Sequence, residues 1–510
     1  MWRFLIALLF ACPALADPKF IDVAPALEID HRYIGGWEHF VGGGVAAFDC
    51  NGDDLPELFA AGGEGPPALL INRSTKDELI FVERIRHALA LQGTTGAYPI
   101  DIDSDGWMDL VVLRAGGNVI LKGEPDCYFT RFAFSDALAG DAWTTAFSAT
   151  WEAGEAWPTL AFGNYVDRSD PNGPFEACDD NQLYRPDGEG YEEALPLTPG
   201  YCALSMLFSD WSRAGRADLR ISNDRHYYVR GGEEQLWSMD GEPRLYNRAD
   251  GWRKTPIWGM GIASRDITGD GVPEIYLTSM ADQKLQFLEG EGPGYADAPF
   301  ELGAAAQRPY TGGDGRPSTG WHAEFGDVDN DGDDDLFVSK GNVEEMPSSA
   351  MLDPNNLLLW TGEKFEEGGE ASGLASMAKS RGAVVTDLNG DGKLDIAVVN
   401  RGAPMGIYQN TMHGAGGWLA LKIAQSAPNR NAVGAWIEVE TAAGRQSREI
   451  TVGGGHVSGW AGRHHFGLGE ATAARVRVIW PGGTNSDWIE VEAGAHHMER
   501  SGERGLKVAR

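Results

Sequence analysis

A ten-residue acidic segment recurs seven times along this 510-residue chain, and no other feature of the sequence restricts the fold as strongly. The clearest copies are DVDNDGDDDL at 327–336, DLNGDGKLDI at 387–396 and DIDSDGWMDL at 101–110. Looser copies begin at residues 49 and 266 and a degenerate copy at 210, and the hydrophobic pattern around these copies places a seventh at 151, so that successive copies start 50 to 61 residues apart. A regular period of this length indicates one structural unit that is repeated seven times.

The residues around each acidic segment have the composition of β-strands. In the last unit, RGAVVT precedes the segment and IAVV follows it, and strand-like sequences such as NNLLLW at 355–360 come next. A four-stranded unit of this size cannot bury both of its faces alone, and stacking around an axis leaves only short, protected edges. The segment PKFIDVA (18–24) resembles EKFEEGG (363–369), which leads into the seventh unit, so we expect the N-terminal strand to complete the last unit. The sequence therefore predicts an all-β fold, a seven-bladed β-propeller over residues 17–412.

One aligned column supports a closed ring. Five residues before each acidic segment, the chain has a Gly, Ala or Ser in six of the seven units, and His322 is the exception. Small residues are expected where inner strands crowd around an axis and their backbones approach closely. The column consists of Gly44, Gly96, Ala146, Ser205, Gly261, His322 and Gly382.

The acidic segments have the spacing of calcium loops. Side-chain oxygens occupy positions 1, 3, 5 and 9, and most copies have Gly at position 6, where a sharp turn needs a positive φ. Calcium accepts six to eight oxygen ligands and removes the repulsion between carboxylates held this close. We expect four to five structural calcium ions. Their predicted ligands are Asp49, Asn51, Asp53 and Glu57; Asp101, Asp103, Asp105 and Asp109; Asp266, Thr268, Asp270 and Glu274; Asp327, Asp329, Asp331 and Asp335; and Asp387, Asn389, Asp391 and Asp395.

Three loops depart from this pattern. In the first, Asp54 replaces the glycine at position 6, which Asp tolerates better than most residues. The loop at 210 keeps only Asp210, Gly215 and Asp218, and the loop at 151 has lost its ligand set. We expect the last two loops to hold no ion.

The N-terminus and the cysteines indicate export from the cytoplasm. Residues 1–16 have a basic start, an apolar stretch and the cleavage signal Ala14-Leu15-Ala16, which together predict a signal peptide. Four cysteines remain after cleavage and permit three pairings. Cys178 and Cys202 flank a turn-rich segment and are the pair we predict, while Cys50 and Cys127 form a second candidate pair. No later segment is long and apolar enough for a transmembrane helix, so we expect a secreted protein, extracellular or, in a Gram-negative bacterium, periplasmic.

The C-terminal part has a different pattern. Residues 415–495 alternate apolar and polar side chains between glycine-rich turns, which predicts a small β-sandwich-like domain, and residues 496–510 are expected to form a basic tail. His464 and His465 are adjacent on a strand and point to opposite faces, so a shared metal ion is not expected there.

The two regions resemble known families. The repeats resemble the FG-GAP/VCBS repeats of integrin-type β-propellers, whose calcium loops have the form D-x-D-x-D-G-x-x-D. The C-terminal sequences APNRNAVGAWIEVET (427–441), HHFGLGE (464–470) and VRVIWPGG (476–483) resemble an ASPIC/UnbV domain, found at the end of the cartilage acidic protein 1 family. The resemblance implies an extracellular calcium-binding propeller with a role in matrix or cell-surface interaction, and it implies no established reaction.

Two functions are consistent with the sequence. The first is a non-enzymatic extracellular binding or adhesion module for protein or polysaccharide, with no catalytic residues; the net charge of −33 argues against nucleic acid as a partner. The candidate binding face lies opposite the acidic loops, although Asn at several of these positions is also ordinary turn chemistry. It consists of Arg114, Asn164, Asn223, Trp321, His322, Lys340, Asn400 and Arg401.

The second function is a secreted carbohydrate-active enzyme. His322 breaks the column of small residues, and Glu324 lies two residues along, on the same face of that strand. An open cleft at this pair favours the enzyme, whereas a filled channel argues against it.

Overall fold

The architecture was analysed in a computed structural model, which describes residues 17–509 except 85–88, 137, 139, 172, 189 and 225–230. The predicted signal peptide, residues 1–16, lies outside the described residues. Among the described residues, helix is limited to single turns. These are an α-helical turn at Gly369–Ser372 and 3-10 turns at Trp37–His39, Pro125–Cys127, Arg248–Asp250 and Phe300–Leu302.

The repeated units form antiparallel sheets in which consecutive strands pair. Most strands are buried on both faces, which explains why their sequences are nearly continuous runs of apolar residues instead of alternating ones. The first three sheets contain β2 Val45–Phe48, β3 Glu57–Ala60, β4 Ala68–Asn72 and β5 Phe81–Arg84; β6 Thr94–Ile100, β7 Asp109–Arg114, β8 Val119–Glu124 and β9 Tyr128–Arg131; and β10 Thr144–Thr150, β11 Thr159–Asn164, β12 Asn181–Tyr184 and β15 Leu195–Leu197, with a small hairpin of β13 Pro186–Asp187 and β14 Gly190–Tyr191 inserted before β15.

Four further sheets of the same strand order follow along the chain. They contain β16 Ala203–Ser209, β17 Asp218–Asn223, β18 Gln235–Ser238 and β19 Arg244–Leu245; β20 Gly259–Arg265, β21 Glu274–Ser279, β22 Lys284–Leu288 and β23 Tyr295–Asp297; β24 Gly320–Gly326, β25 Asp335–Lys340, β26 Asn356–Trp360 and β27 Phe365–Glu367; and β28 Lys379–Thr386, β29 Asp395–Arg401, β30 Gly406–Asn410 and β1 Phe20–Asp22.

The sheets close into a ring. The first strand of each sheet contacts the first strand of the next, and β28 of the last sheet contacts β2 of the first. The last sheet takes its outer strand from the N-terminus, because β1 pairs antiparallel with β30, with Phe20 opposite Asn410. The all-β class and the propeller-type architecture are confirmed, and the N-terminal strand completes the last sheet as expected.

The C-terminal module is a sandwich of two four-stranded sheets. One sheet has the order β35 His464–Gly469, β31 Gly417–Ala424, β38 Gly494–Ser501 and β39 Gly505–Val508. The other has the order β33 Arg445–Glu449, β32 Trp436–Glu440, β36 Ala473–Ile479 and β37 Ile489–Glu492. The expectation of a basic tail at 496–510 is wrong, because β38 pairs with β31 from Leu419 to Ala424 and β39 pairs with β38, so most of this segment belongs to the sandwich.

A loop of the C-terminal module fills the axis of the ring. Residues 450–458, between β33 and the short strand β34 (Gly459–Ala461), enter the channel, and β34 pairs parallel with β2. Isolated bridges connect this segment to the inner strands of the second to fifth sheets, at Ala97, Ala149, Leu207 and Ile262. The glycines of the small-residue column make room for it: a Cβ on Gly44 or Gly96 would collide with the carbonyl oxygen of Val457, and one on Gly382 with the hydroxyl of Ser458. The residues of this column are therefore small because residues 450–458 occupy the axis beside them.

Both candidate disulfides are formed, Cys178–Cys202 and Cys50–Cys127. The second joins the first acidic loop to the outer edge of the second sheet, because Cys50 follows β2 and Cys127 precedes β9. Among the described residues, no helix is both long enough and apolar enough to cross a membrane.

Candidate calcium sites and the surface between the two modules

The acidic loops connect the first and second strands of their sheets. Position 9 is the first residue of the second strand, as in Asp109 at the start of β7 and Asp335 at the start of β25. The strand buries this carboxyl group, while positions 1 to 5 turn back over it. In the loops at 101 and 327, carboxylate oxygens of positions 1, 3 and 9 all lie within 4.8 Å of one another. These two loops bring together oxygens as a calcium site requires.

The turn in each loop is held by its first carboxylate. Gly106 N donates to Asp101 Oδ2 at 3.1 Å, and Gly332 N donates to Asp327 Oδ2 at 2.8 Å. The loops also place position 4 in the left-handed region, with φ +57° at Ser104 and +60° at Asn330. The turn therefore keeps its shape through backbone hydrogen bonds and leaves the remaining oxygens at its centre.

The carboxyl groups in these loops are held in an environment that disfavours their charge. Burial raises the pKa of Asp109 to about 8 and that of Asp101 to about 6. Burial, followed by repulsion from neighbouring carboxylates, also raises the pKa of Asp327 and Asp335 well above the usual range. A divalent cation at the centre of the loop removes this penalty, so the donor set fits calcium.

In the loops at 49, 266 and 387, burial also disfavours the charged form of the carboxyl group at position 9, which is a glutamate in the first two loops and an aspartate in the third. Burial raises the pKa of Glu57 to about 7 and that of Glu274 to about 8, and it raises that of Asp395 well above its usual range. Lysines lie beside two of the acidic loops: Lys393 Nζ is 2.6 Å from Asp391, and Lys122 contacts Asp103 and Asp105. Cys50, Glu57 and Cys127 also lie together, but the two sulfurs are bonded to each other and are not metal ligands.

The two degenerate loops have protein partners in place of oxygen clusters. Asp218, at position 9 of the loop at 210, accepts hydrogen bonds from Trp211 Nε1 at 3.0 Å and Tyr246 Oη at 2.9 Å. In the loop at 151, Glu152 Oε1 accepts from Arg185 Nε at 2.8 Å. These donors satisfy the acids without a cation, which gives a physical reason for expecting no ion in either loop.

The C-terminal module rests on the rim formed by these loops. His465 Nε2 donates to Asn330 Oδ1 at 2.6 Å, and Asn429 N donates to Ser104 Oγ at 2.9 Å. Ser447 Oγ donates to Asp266 Oδ2 at 2.5 Å. Position 4 of two acidic loops and position 1 of a third thus contact the module directly, so the shape of the loops and the position of the module depend on each other.

Buried charges strengthen the same interface. Arg448 of β33 is buried and lies 2.8 Å from Asp334. The Arg213 guanidinium stacks on the Trp436 ring, 3.6 Å from its centre, and its NH2 group donates to Ser447 Oγ at 2.8 Å. Removing one partner of a buried charge pair leaves the other uncompensated, so these contacts fix the orientation of the module on the ring.

A cavity of about 610 Å³ remains where the module and the rim do not meet. It lies above the loops of the first, second and seventh sheets and is bounded by Trp107, Trp418 and Trp460. In its wall, Asp54 Oδ2 lies 2.9 Å from Arg463 and Asp54 Oδ1 lies 3.4 Å from Lys422. The residue that breaks the glycine rule at position 6 therefore contacts the module, which the loop sequence alone does not reveal.

The candidate binding face on the other rim does not form an exposed polar ring. Apart from Arg114, which is partly exposed, its members are buried: Asn164, Asn223, Trp321, His322, Lys340, Asn400 and Arg401. That expectation is corrected by the physical role of these side chains. The three asparagines each donate to a backbone carbonyl of a neighbouring turn, Asn164 to Asp180, Asn223 to Glu233 and Asn400 to Pro404, at 2.7 to 2.9 Å.

The other members of the face are also engaged in the fold. Lys340 and Asp353 form a fully buried ion pair with a 3.0 Å separation, and Trp321 Nε1 donates to Gly341 O at 2.8 Å. Arg114 and Arg401 both donate to backbone carbonyls, Arg114 to Gln92 and Gly117, and Arg401 to Gly35 and His39.

The alternative catalytic pair lies under the axial segment. His456 N donates to His322 Nδ1 at 3.1 Å, and His322 Nε2 lies 3.3 Å from Glu324 Oε2. Glu324 Oε2 also accepts from Val385 N at 2.9 Å. The space beside the pair is only about 100 Å³. The channel is filled at this point, which argues against a substrate cleft at His322 and Glu324.

Two parts of this surface were not predicted from the sequence. The axial segment GGGHVSG (453–459) gave a signal, since three consecutive glycines in a small sandwich are unusual, but nothing in the sequence places it inside the ring. The signal for the cavity was weaker: among the five well-formed loops, only the first has a residue other than glycine at position 6, namely Asp54.

Comparisons with known proteins agree with this architecture. Residues 49–112 match the FG-GAP-like repeat family, and residues 425–503 match the ASPIC and UnbV family. The chain is 26% identical to cartilage acidic protein 1 of Mus musculus over 491 residues, covering 86% of this chain and 70% of the mouse protein. It is 29% identical to cartilage acidic protein 1 of Homo sapiens over 242 residues, covering 44% of this chain and 33% of the human protein.

Among solved structures, AofleA from Arthrobotrys oligospora is 13% identical, with a TM-score of 0.36, and the match covers 65% of this chain and 86% of that one. A likeness of this size carries no functional argument.

Proposed function

We propose that this chain, which carries an FG-GAP-like repeat and an ASPIC and UnbV domain and is similar over most of its length to cartilage acidic protein 1, is a calcium-stabilised extracellular binding protein without catalytic activity. Its partner is an extracellular protein or polysaccharide. The observation that carries the proposal is the convergence of buried carboxylates in the loops at 101 and 327.

The calcium ions have a structural role in this proposal. The loops repeat around the rim instead of converging on one centre, and three of them hold the C-terminal module through Ser104, Asp266 and Asn330. When bound, calcium neutralises the clustered carboxylates and ties the two ends of each loop together. The residues that hold it are those at positions 1, 3, 5 and 9 of the five well-formed loops.

Two further features support the location and the absence of a reaction. Two disulfides are stable in oxidising compartments and rare in the cytosol, which supports an extracellular protein. The filled axis removes the place where a ring of blades would otherwise offer a deep cleft, which supports binding over catalysis.

Ion counting combined with thermal unfolding tests the proposal. The mature protein is dialysed against millimolar calcium, its bound ions are counted, and its melting temperature is compared with that in excess chelator. We expect four to five ions and a melting temperature many degrees higher in calcium, since extracellular calcium modules bind in the range of about 10⁻⁴–10⁻³ M. Absence of bound ions together with an unchanged melting temperature would falsify the proposal.

The variant Asp331→Asn makes this test specific. Burial and the neighbouring Asp329 raise the pKa of Asp331 to about 7, so the amide removes a disfavoured charge, and its oxygen can still accept from Asp333 N, a hydrogen bond of 2.8 Å. We expect about tenfold weaker calcium binding at this loop, equal to about 1.4 kcal/mol, and a lower melting temperature in calcium. In chelator the melting temperature should not fall. The matched control is Asp314→Asn, which changes an exposed acid outside the loops and should alter neither measurement.

A further inference from the structure

The cavity between the module and the rim differs in charge from the rest of the protein. The whole chain carries a net charge of −33, yet four cationic side chains line this cavity, Lys422, Arg430, Arg463 and Arg500. Its five carboxylates include Asp49, Asp101 and Asp387, which are the first ligands of three predicted calcium loops. With calcium bound to these three, the carboxylates left to oppose the four cations are Asp54 and Glu499. Among the lining side chains that are not predicted calcium ligands, four cations then face two carboxylates, in a protein that is acidic as a whole.

The remaining carboxylates do not balance these cations. Glu499 lies 3.0 Å from Lys507, which does not line the cavity, so its charge is already compensated. Asp54 is approached by both Arg463 and Lys422, at 2.9 and 3.4 Å, and His497 lies 3.2 Å from the same carboxylate. The Arg463 Nε has no hydrogen-bond partner within the described residues. One carboxylate, that of Asp54, therefore pairs with both Arg463 and Lys422. The cluster has one excess positive charge and can accept another anionic group.

Aromatic rings flank this cluster. Trp107 belongs to the loop of the second sheet and lies against Gly52 of the first loop. Trp418 belongs to the module and lies against Gly392 in the loop of the seventh sheet. The first sheet stands between the second and the seventh in the ring, so the two tryptophans lie on either side of the loop that carries Asp54. Both rings are partly exposed and line the cavity, where their flat faces can pack against an apolar surface.

We propose that this cavity binds an acidic saccharide. Its carboxylate or sulfate pairs with Arg463 and Lys422, and the apolar C–H face of a sugar ring packs on Trp107 or Trp418. The volume of about 610 Å³ lies within the usual range for small-ligand sites. The side chains of Gln425, Ser426 and Asn431 also line the cavity and offer hydrogen bonds to hydroxyl groups.

A nucleotide, the other ligand that combines a flat face with negative charge, fits less well. The cluster has an excess of about one positive charge at its centre, which suits one carboxylate or sulfate better than a chain of phosphates. The net charge of −33 also repels a polyanion more strongly than a singly charged sugar. The proposal rests on the proposed function, since it names the ligand class and the site of a calcium-stabilised binding protein.

Titration of the mature protein, saturated with calcium, tests this assignment. The probes are a neutral oligosaccharide, the same oligosaccharide with one terminal uronic acid, the same oligosaccharide with one sulfate group, and ATP; binding is followed by calorimetry and tryptophan fluorescence. We expect one acidic saccharide to bind at least tenfold more tightly than its neutral counterpart, and the two acidic probes separate carboxylate from sulfate recognition. Tighter binding of ATP than of either acidic saccharide overturns the proposal, as does the absence of binding by both.

Two variants locate the binding site. Lys422→Gln removes one cation, and Trp107→Ala removes one ring; both side chains are partly exposed, so we expect each variant to keep its melting temperature in calcium and to lose about tenfold in affinity. The matched control is Arg504→Gln, an exposed arginine paired with Asp487 away from the cavity, and it should bind like the parent. Unchanged affinity in both cavity variants places the ligand elsewhere and overturns the proposal.

Failure here is distinguishable from failure of the proposed function. A protein that binds four to five calcium ions and melts higher in calcium, but binds none of the probes, keeps its calcium-stabilised fold and loses only this ligand site. A protein that binds no calcium fails the earlier test before any saccharide is added.

Discussion

The ninth position of each well-formed acidic loop places a carboxyl group where the second strand begins, and the sheet then buries it. Glu57 opens β3, Asp109 opens β7 and Glu274 opens β21, each largely shielded from solvent. Each accepts at least one hydrogen bond from a backbone N–H group, as in the 2.8 Å bond from Ile102 N to Asp109, and Glu57 also accepts from Asn51 Nδ2 at 2.7 Å. Burial of such a carboxylate lowers the stability of the fold unless a cation neutralises its charge.

This cost predicts an unusual pH dependence in the calcium-free protein. The pKa values of Glu57 and Asp331 are raised to about 7 and those of Asp109 and Glu274 to about 8, whereas the same groups in an unfolded chain titrate near about 4. Between these values the folded chain binds more protons than the unfolded chain, so the free energy of unfolding falls as pH rises through about 4 to 8. We expect calcium-stripped protein to melt several degrees higher at pH 5 than at pH 8.

Saturating calcium should reverse the order, because protons and calcium compete for the same oxygens. Thermal unfolding at both pH values, with and without calcium, checks both signs. A calcium-stripped protein that melts lower at pH 5 contradicts the burial of these acids.

At the scale of single residues, the sequence predicts the spacing of side chains along a loop better than their exposure to solvent. The clustering of aspartates in the loops at 101 and 327 was predicted from their positions alone, because the spacing within a loop is local. The asparagines of the other rim were identified equally well as turn residues, yet their exposure was not predictable. Asn164 and Asn223 are buried by the chain segments that follow them, and a single alignment column carries no information about those segments.

At the scale of elements, the axial segment and the inner strands depend on each other. Residues 450–458 carry backbone groups into the centre of the ring, and the bridges to Ala97, Ala149, Leu207 and Ile262 satisfy some of them. Buried His456 fits this role as a neutral side chain, since burial lowers its pKa to about 3. The sequence predicted the crowding of the axis from its glycines, but not the source of the crowding, because that segment lies about 400 residues away from the first inner strand.

The close approach of the axial segment can be tested with one methyl group. In Gly44→Ala the added carbon collides with the backbone carbonyl of Val457, which cannot swing aside as a side chain could. We expect a loss of about 1–3 kcal/mol in the free energy of unfolding and a melting temperature several degrees lower. The matched control is Gly444→Ala, where nothing lies within 4 Å of the added carbon. Equal stability of both variants means that the segment does not occupy the axis in solution.

For the whole molecule, the contacts between ring and module predict a single unfolding transition. The module contributes β34 to the sheet of β2, and it buries Glu449 against Asp210 N and Ser209 Oγ, at 2.7 and 2.6 Å. Neither part keeps these groups satisfied when the other is unfolded. We expect calorimetry of the full mature chain in calcium to give one cooperative peak. Two well-separated peaks, each with its own calcium dependence, contradict this coupling.

The whole-molecule arrangement is also where sequence analysis reached its limit. The period of the repeats predicted the ring, and the alternation of residues 415–495 predicted a sandwich, because both patterns repeat over short distances. The docking of one on the other depends on single pairs such as Arg448 with Asp334 and Ser447 with Asp266, which leave no periodic trace. The same limit explains why residues 496–510 were wrongly predicted to be a tail: a short basic segment does not show in its sequence that it pairs with β31.

The closure of the last sheet by β1 has a consequence for how the molecule is assembled. Phe20 pairs with Asn410, so the ring keeps an open seam until the two ends of the repeat region meet. The axial segment lies beyond Asn410 in the chain and bridges the inner strands of four sheets. The ring is therefore held together by two segments that are far apart in the sequence, β1 at its outer edge and residues 450–458 at its axis.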